Sequence, residues 1–98
     1  MLLGPGVVLA CAGHPLHPEQ RCSSAFETSA PITLEDGVWI GANATVCGGV
    51  TIGAGTVVGA GSVVTKHLPA GVLAAGVPCR VIRPLTEEDR IPPEQIEF

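Results

Sequence analysis

The sequence predicts an all-β fold: a parallel β-helix of hexapeptide repeats with a protruding loop and a short C-terminal extension. Three observations carry this reading. Residues 34–69 divide into six consecutive hexads, LEDGVW, IGANAT, VCGGVT, IGAGTV, VGAGSV and VTKHLP, whose first place is always aliphatic: Leu34, Ile40, Val46, Ile52, Val58 and Val64. A period of six fits neither the 3.6-residue turn of an α-helix nor the alternation of a single long strand, but it fits a solenoid in which each unit supplies one short strand and one corner. The chain is 46% hydrophobic and only 3% aromatic, so its core has to be built from small and β-branched side chains.

Within each unit the first-place aliphatic is expected to point inward. The fifth place, held by Val38, Ala44, Val50, Thr56, Ser62 and Leu68, is small or β-branched and can also face the interior where the chain turns. Gly37, Gly41, Asn43, Gly49, Gly55 and Gly61 suit corners of positive φ. The 98 residues form one domain. Residues 1–14 supply a first partial coil through LGPGVV and LACAGH, beginning at Leu3 and Leu9. The register then breaks. Residues 15–33 hold three prolines and several polar residues and read as a loop that leaves the coil and rejoins it at Ile32; loops of this length are usually functional or disordered. Residues 34–69 are the hexapeptide coils, and 70–98 form a C-terminal segment that begins with an irregular, strand-rich stretch lying along the coil. In that tail TEEDR opens like a short helix that Pro92 and Pro93 would stop.

Charge and cysteine usage narrow the function classes. A formal net charge of −4 argues against general binding to nucleic acid or anionic membranes. The distribution is uneven, however. No acid stands between Asp36 and Glu87, and that stretch carries Lys66, Arg80 and Arg83, three of the five basic residues, so a small anionic ligand is expected near 66–83. Residues 37–65 are uncharged and long enough to cross a bilayer, but their eight glycines and six-residue period argue against a transmembrane helix. The cysteines at 11, 22, 47 and 79 lack the close spacing of a redox or zinc pair, and no basic leader precedes the apolar N-terminal residues. Reduced thiols and a cytoplasmic location are expected.

Four motifs, AGHP at 12–15, PITLEDGVWIG at 31–41, VGAGSVVTK at 58–66 and AAGVPCRVIR at 74–83, resemble the galactoside and maltose O-acetyltransferases, with the likeness running from Leu2 to about Leu85. The hexads alone are shared by many acyltransferases; the GHP loop and GVPCRVIR are far more specific. The resemblance implies a left-handed β-helix, an exception to the right-handed crossover rule. It also implies a homotrimer with acetyl-CoA bound between neighbouring coils and transfer of its acetyl group to a hydroxyl of a sugar or similar small acceptor, without a metal. An alcohol is a poor nucleophile at neutral pH, and an imidazole can take its proton as attack proceeds. His14 stands at the family's catalytic position. The backbone N–H that would stabilise the oxyanion falls on Ala42, where the family often has serine. Matching cofactor positions are Trp39, Ala42, Ala60, Thr65, Lys66, Arg80 and Arg83, and the loop residues Arg21, Phe26 and Glu27 are weaker acceptor-side candidates.

In the resembling enzymes a helical segment and further coil precede the point matching Met1, so an N-terminally shortened member with an uncapped coil at Leu3 is expected. The missing acceptor contacts make a non-catalytic trimeric CoA-binding or structural remnant the alternative to an active transferase. His14, His17 and His67 would be the imidazoles of a zinc enzyme on the same helix, but His17 and His67 read as surface residues.

Overall fold

The computed structural model describes residues 1–14, 16–22 and 28–91, with the side chains of Arg21 and Thr28 also outside the description. Short strands stack in register to form a three-faced coil. The first face carries β1 (Leu2–Leu3), β6 (Trp39–Ile40), β9 (Val57–Val58) and β11 (Val72–Ala75), all parallel, and ends with β12 (Arg80–Pro84) antiparallel to β11. The second carries β2 (Val8–Ala10), β7 (Thr45–Cys47) and β10 (Val63–Val64). The third carries β5 (Thr33–Leu34) and β8 (Thr51–Ile52), extended by a bridge from Ile52 to Leu68. Trp39 pairs with Val57, eighteen residues on, so three hexads close one turn. The coil is a left-handed parallel β-helix.

The inward register follows the hexads. Ile40, Val46, Ile52, Val58 and Val64 from the first place, and Val38, Ala44, Val50, Thr56, Ser62 and Leu68 from the fifth, are all buried. No aromatic ring is needed because the coil interior is narrow and β-branched side chains fill it. Ile32, Leu34, Val7 and Cys79 pack partly against this column. Gly6, Gly37, Asn43, Gly49, Gly55 and Gly61, all at the fourth place, turn the corners with φ between 60° and 80°.

Gly41 departs from the expectation: it does not have positive φ, and what requires glycine there is the close approach of the next coil. A Cβ on Gly41 would lie 2.6 Å from the Ala60 backbone nitrogen, and one on Gly4 would lie 2.7 Å from that of Ala42. Gly53 meets Ala70 in the same way. These second-place glycines bring one coil's corner directly over the next.

The hexad register ends at Pro69, but the stack continues. Rather than lying along the coil, β11 forms a further rung that buries Val72 and Ala74. This rung comes early: Val57 pairs with Leu73, sixteen residues on instead of eighteen. Two buried hydroxyls take up the mismatch. Thr56 Oγ1 donates to the Pro69 carbonyl at 2.6 Å and accepts from the Val72 N–H at 3.3 Å, while Ser62 Oγ donates to the Gly59 carbonyl at 2.7 Å and accepts from the Gly76 N–H at 3.1 Å. Buried backbone donors left unpaired would each cost about 1–3 kcal/mol.

Because Gly41 faces backbone and Gly55 faces open space, alanine at 41 and asparagine at 55 should behave oppositely. Gly41→Ala is expected to cost about 1–3 kcal/mol through overpacking. Gly55→Asn is expected to cost less than about 1 kcal/mol, since asparagine tolerates the left-handed region and Asn43 already holds the same place at φ 60°. Urea denaturation of both variants checks this, and equal losses would contradict it.

Candidate active site

The loop stands on one corner of the coil. Its legs are β3 (Ala12–Gly13) and β4 (Thr28–Ser29), paired antiparallel, and the Ala30 N–H donates to the Cys11 carbonyl at 2.9 Å. Beneath them lie Gly48 and Gly49. The Gly49 N–H donates to the Pro31 carbonyl at 3.0 Å, and a Cβ on Gly48 would meet the carbonyl oxygens of Ala30 and Cys11 at 3.2 and 3.3 Å. Glycine at 48 therefore lets the loop sit tightly on the corner joining the second and third faces. His14 follows β3 and is exposed at the loop's mouth. A short helix, α1 (Pro18–Arg21), interrupts the loop, with His17 Nδ1 accepting the Glu19 N–H at 3.2 Å. Arg21 closes that helix; Phe26 and Glu27 lie outside the described residues.

The expected cofactor residues fall into separate groups. Ala42 and Ala60 line up at the corner joining the first and second faces, where the Gly61 N–H donates to the Ala42 carbonyl at 2.9 Å and the Asn43 N–H to the Pro5 carbonyl at 2.9 Å. Trp39 lies beside them on the first face, half exposed between its partners Leu2 and Val57. Thr65 and Lys66 are exposed at the next corner, under the loop. Strands β2, β7 and β10 separate the two corners. Within one chain, His14 and Ala42 thus lie at opposite ends of the second face.

Arg80 and Arg83 are exposed on β12, paired with Ala75 and Leu73. Arg83 is already engaged: Nη1 and Nη2 donate to the two carboxylate oxygens of Asp89 at 3.0 and 2.7 Å. The Thr86 N–H adds a third bond to Asp89 at 2.8 Å, at the start of a 3-10 turn over Glu87–Asp89, which takes the place of the expected tail helix. The hydrogen bond from Arg83, with the Thr86 N–H and the charge of Arg83, holds the Asp89 carboxyl down to about 2, and the hydrogen bond to Asp89 and its charge push the Arg83 guanidinium up. Burial pushes the Cys79 thiol up, only partly offset by its hydrogen bond with Ser62, so it is no activated nucleophile at neutral pH.

Sequence reasoning missed one feature, a cleft of about 420 Å³ lined by Gly48, Gly49, Val50, Thr65, Lys66 and His67. His67 is exposed, as expected, but its Nδ1 accepts the Thr51 N–H at 2.9 Å, so it is fixed rather than freely solvated. The signal was available: His67 breaks a column of glycine and asparagine at the fourth place of the hexads. Among the described residues no three His, Cys, Asp or Glu side chains gather as a metal-binding group. No helix among them is long and apolar enough to cross a membrane.

A coil in which three hexads close each turn, interrupted by a loop carrying an exposed histidine, defines a hexapeptide-repeat β-helix architecture. The family model described as "Bacterial transferase hexapeptide (six repeats)" matches residues 31–66. The chain is 49% identical over 90 residues to a galactoside O-acetyltransferase of Escherichia coli, covering 92% of this chain and 44% of that protein. A galactoside O-acetyltransferase of Lactococcus lactis is 40% identical over 89 residues, covering 91% and 42%. Among solved structures, a galactoside acetyltransferase in complex with coenzyme A superposes with a TM-score of 0.82 at 50% identity, covering 90% of this chain and 44% of that one. A maltose O-acetyltransferase from Clostridium difficile gives 0.81 at 44% identity, covering 87% and 45%. Over residues 31–66 the chain carries this hexapeptide repeat, and over nine-tenths of its length it is similar to these acetyltransferases. It spans less than half the length of the curated relatives it matches.

Since the Asp89 carboxyl is depressed in the folded chain, its contribution is fully present above the ordinary carboxylate value and is lost as pH falls toward about 2. The clasp between β12 and the 3-10 turn is therefore expected to open between about pH 4 and pH 2. A carbon-detected NMR titration of the Asp89 carboxyl should show a midpoint near 2 that rises in Asp89's favour when Arg83 is replaced by glutamine; a midpoint near 4 in the unaltered chain would contradict the clasp.

Proposed function

We propose that this chain is the donor-binding part of an acetyl-CoA-dependent O-acetyltransferase that acetylates a hydroxyl of a sugar or similar small acceptor, assembled as a homotrimer in the cytoplasm. The observation that carries the reading is the position of His14. It is exposed at the mouth of a loop anchored on the Gly48–Gly49 corner, in a chain half identical to a galactoside acetyltransferase solved with coenzyme A. The four free cysteines agree with a reducing compartment.

His14 acts as general base, taking the acceptor's hydroxyl proton as that oxygen bonds to the thioester carbonyl carbon. The Ala42 N–H donates to the oxygen that gains negative charge. The intermediate collapses with cleavage of the carbon–sulfur bond, and the proton held on His14 passes to the departing thiolate, which leaves the imidazole neutral for the next cycle. Alanine at 42 is compatible with this because the donor is backbone. Lys66 and Arg80 supply cationic donors for the phosphate groups of coenzyme A, and Arg83 joins them on exchanging Asp89 for phosphate. The separation of His14 from Ala42 across the second face supports assembly: a site using both forms where the loop corner of one copy meets the Ala42–Ala60 corner of another.

His14→Ala is expected to lower acceptor-dependent release of free coenzyme A thiol by about 10²- to 10⁴-fold, the range of general-base catalysis, while leaving the dissociation constant for coenzyme A within about two-fold. Thiol release and calorimetric titration measure the two. Binding without turnover in the unaltered chain would favour a CoA-binding module instead.

A further inference from the structure

The cleft is lined by Gly48, Gly49 and Val50 from one coil and by Thr65, Lys66 and His67 from the next. We propose that His67 is a phosphate-binding residue of this cleft, acting beside Lys66 on a phosphate monoester or diphosphate group. This deepens the reading given under Proposed function, on which the phosphate belongs to coenzyme A.

The argument starts from the shortened turn. In the regular coils the sixth-place N–H bonds to a fifth-place carbonyl of the next coil, as Trp39 does to Thr56 at 3.0 Å and Thr45 to Ser62 at 2.8 Å. Ile52 bridges to Leu68, sixteen residues on, and the Leu68 carbonyl accepts from Gly53 instead. The Thr51 N–H is left to His67 Nδ1 at 2.9 Å. A neutral imidazole whose Nδ1 accepts must carry its proton on Nε2, so the ring that lines the cleft is held as a donor. Beside it are the Lys66 ammonium, which has no carboxylate partner within ion-pair distance among the described residues, and the Thr65 hydroxyl. An imidazole N–H, an ammonium and a hydroxyl lining one cleft suit a phosphate group, whose oxygens all accept.

The test titrates inorganic pyrophosphate, and separately coenzyme A, into the isotope-labelled 98-residue chain, unaltered and as His67→Asn, which retains an acceptor for Thr51 but lacks the reach of the imidazole Nε2–H. Pyrophosphate is expected to shift the amides of Gly48, Gly49 and residues 65–67 together with the His67 imidazole nitrogens, and H67N is expected to weaken it about ten-fold, the worth of a hydrogen bond to a charged group. Protection of the Thr51 amide from exchange reports that the variant keeps the fold. Equal affinities in the two chains, or shifts confined to Arg80 and Arg83, would overturn the inference. Coenzyme A binding that H67N leaves unchanged would do the same while the acetyltransferase reading stands. Pyrophosphate binding in the cleft without any coenzyme A binding would support the role of His67 and remove that reading.

Discussion

Close stacking of one coil's corner on the next governs this structure. Gly4 under Ala42 and Gly41 under Ala60 leave no room for a Cβ, so the corner between the first and second faces rises as a straight column. The column places Ala42 and Ala60 in line and gives the coil a smooth, small-residue edge beside the exposed ring of Trp39. Every fourth-place residue of positive φ then aims its neighbours so that first and fifth places turn inward. The Ala42–Ala60 edge and core packing thus depend on the same backbone contact.

At the opposite edge of the second face, the constraint is relaxed and used. Gly48 and Gly49 accept the loop instead of another hexad, which is how a coil of short, nearly identical rungs comes to carry His14 exposed at its side. Below, the turn shortens from eighteen to sixteen residues, and side chains replace the lost backbone partners: His67 outside, Thr56 and Ser62 inside. The same adjustment that ends the coil therefore builds the polar wall of the cleft. Charge follows the same division: Lys66 stands without an acid near it in sequence, whereas Arg83 is held by Asp89 from the tail.

The coil was legible because its period is strict. First-place aliphatics and small fifth-place residues name the whole buried column, and the break after His14 marks the loop. Gly41 shows where that reading stops, since composition cannot separate a glycine needed for φ from one needed for contact with a residue nineteen places on. His67 shows it again: its partner Thr51 is remote in sequence and is reached only because the turn is short. The Arg83–Asp89 clasp was hidden for a similar reason, because the acids of the tail read as solvated charge until the 3-10 turn folds one of them back. The division of His14 and Ala42 between two corners follows from stacking, not from motifs.

That division makes subunit complementation the most direct test. His14→Ala disables one corner. Ala42→Pro withdraws the backbone donor at the other, using the residue type that Pro5 already supplies at the same hexad place in the first coil. Each variant alone is expected to be inactive. Refolded together in equal amounts, they are expected to recover up to about a quarter of the unaltered activity, the share of interfaces that join an intact His14 to an intact Ala42 in a randomly mixed cyclic assembly. Mixtures no more active than their parents, with mixed assemblies present, would contradict a site shared between copies.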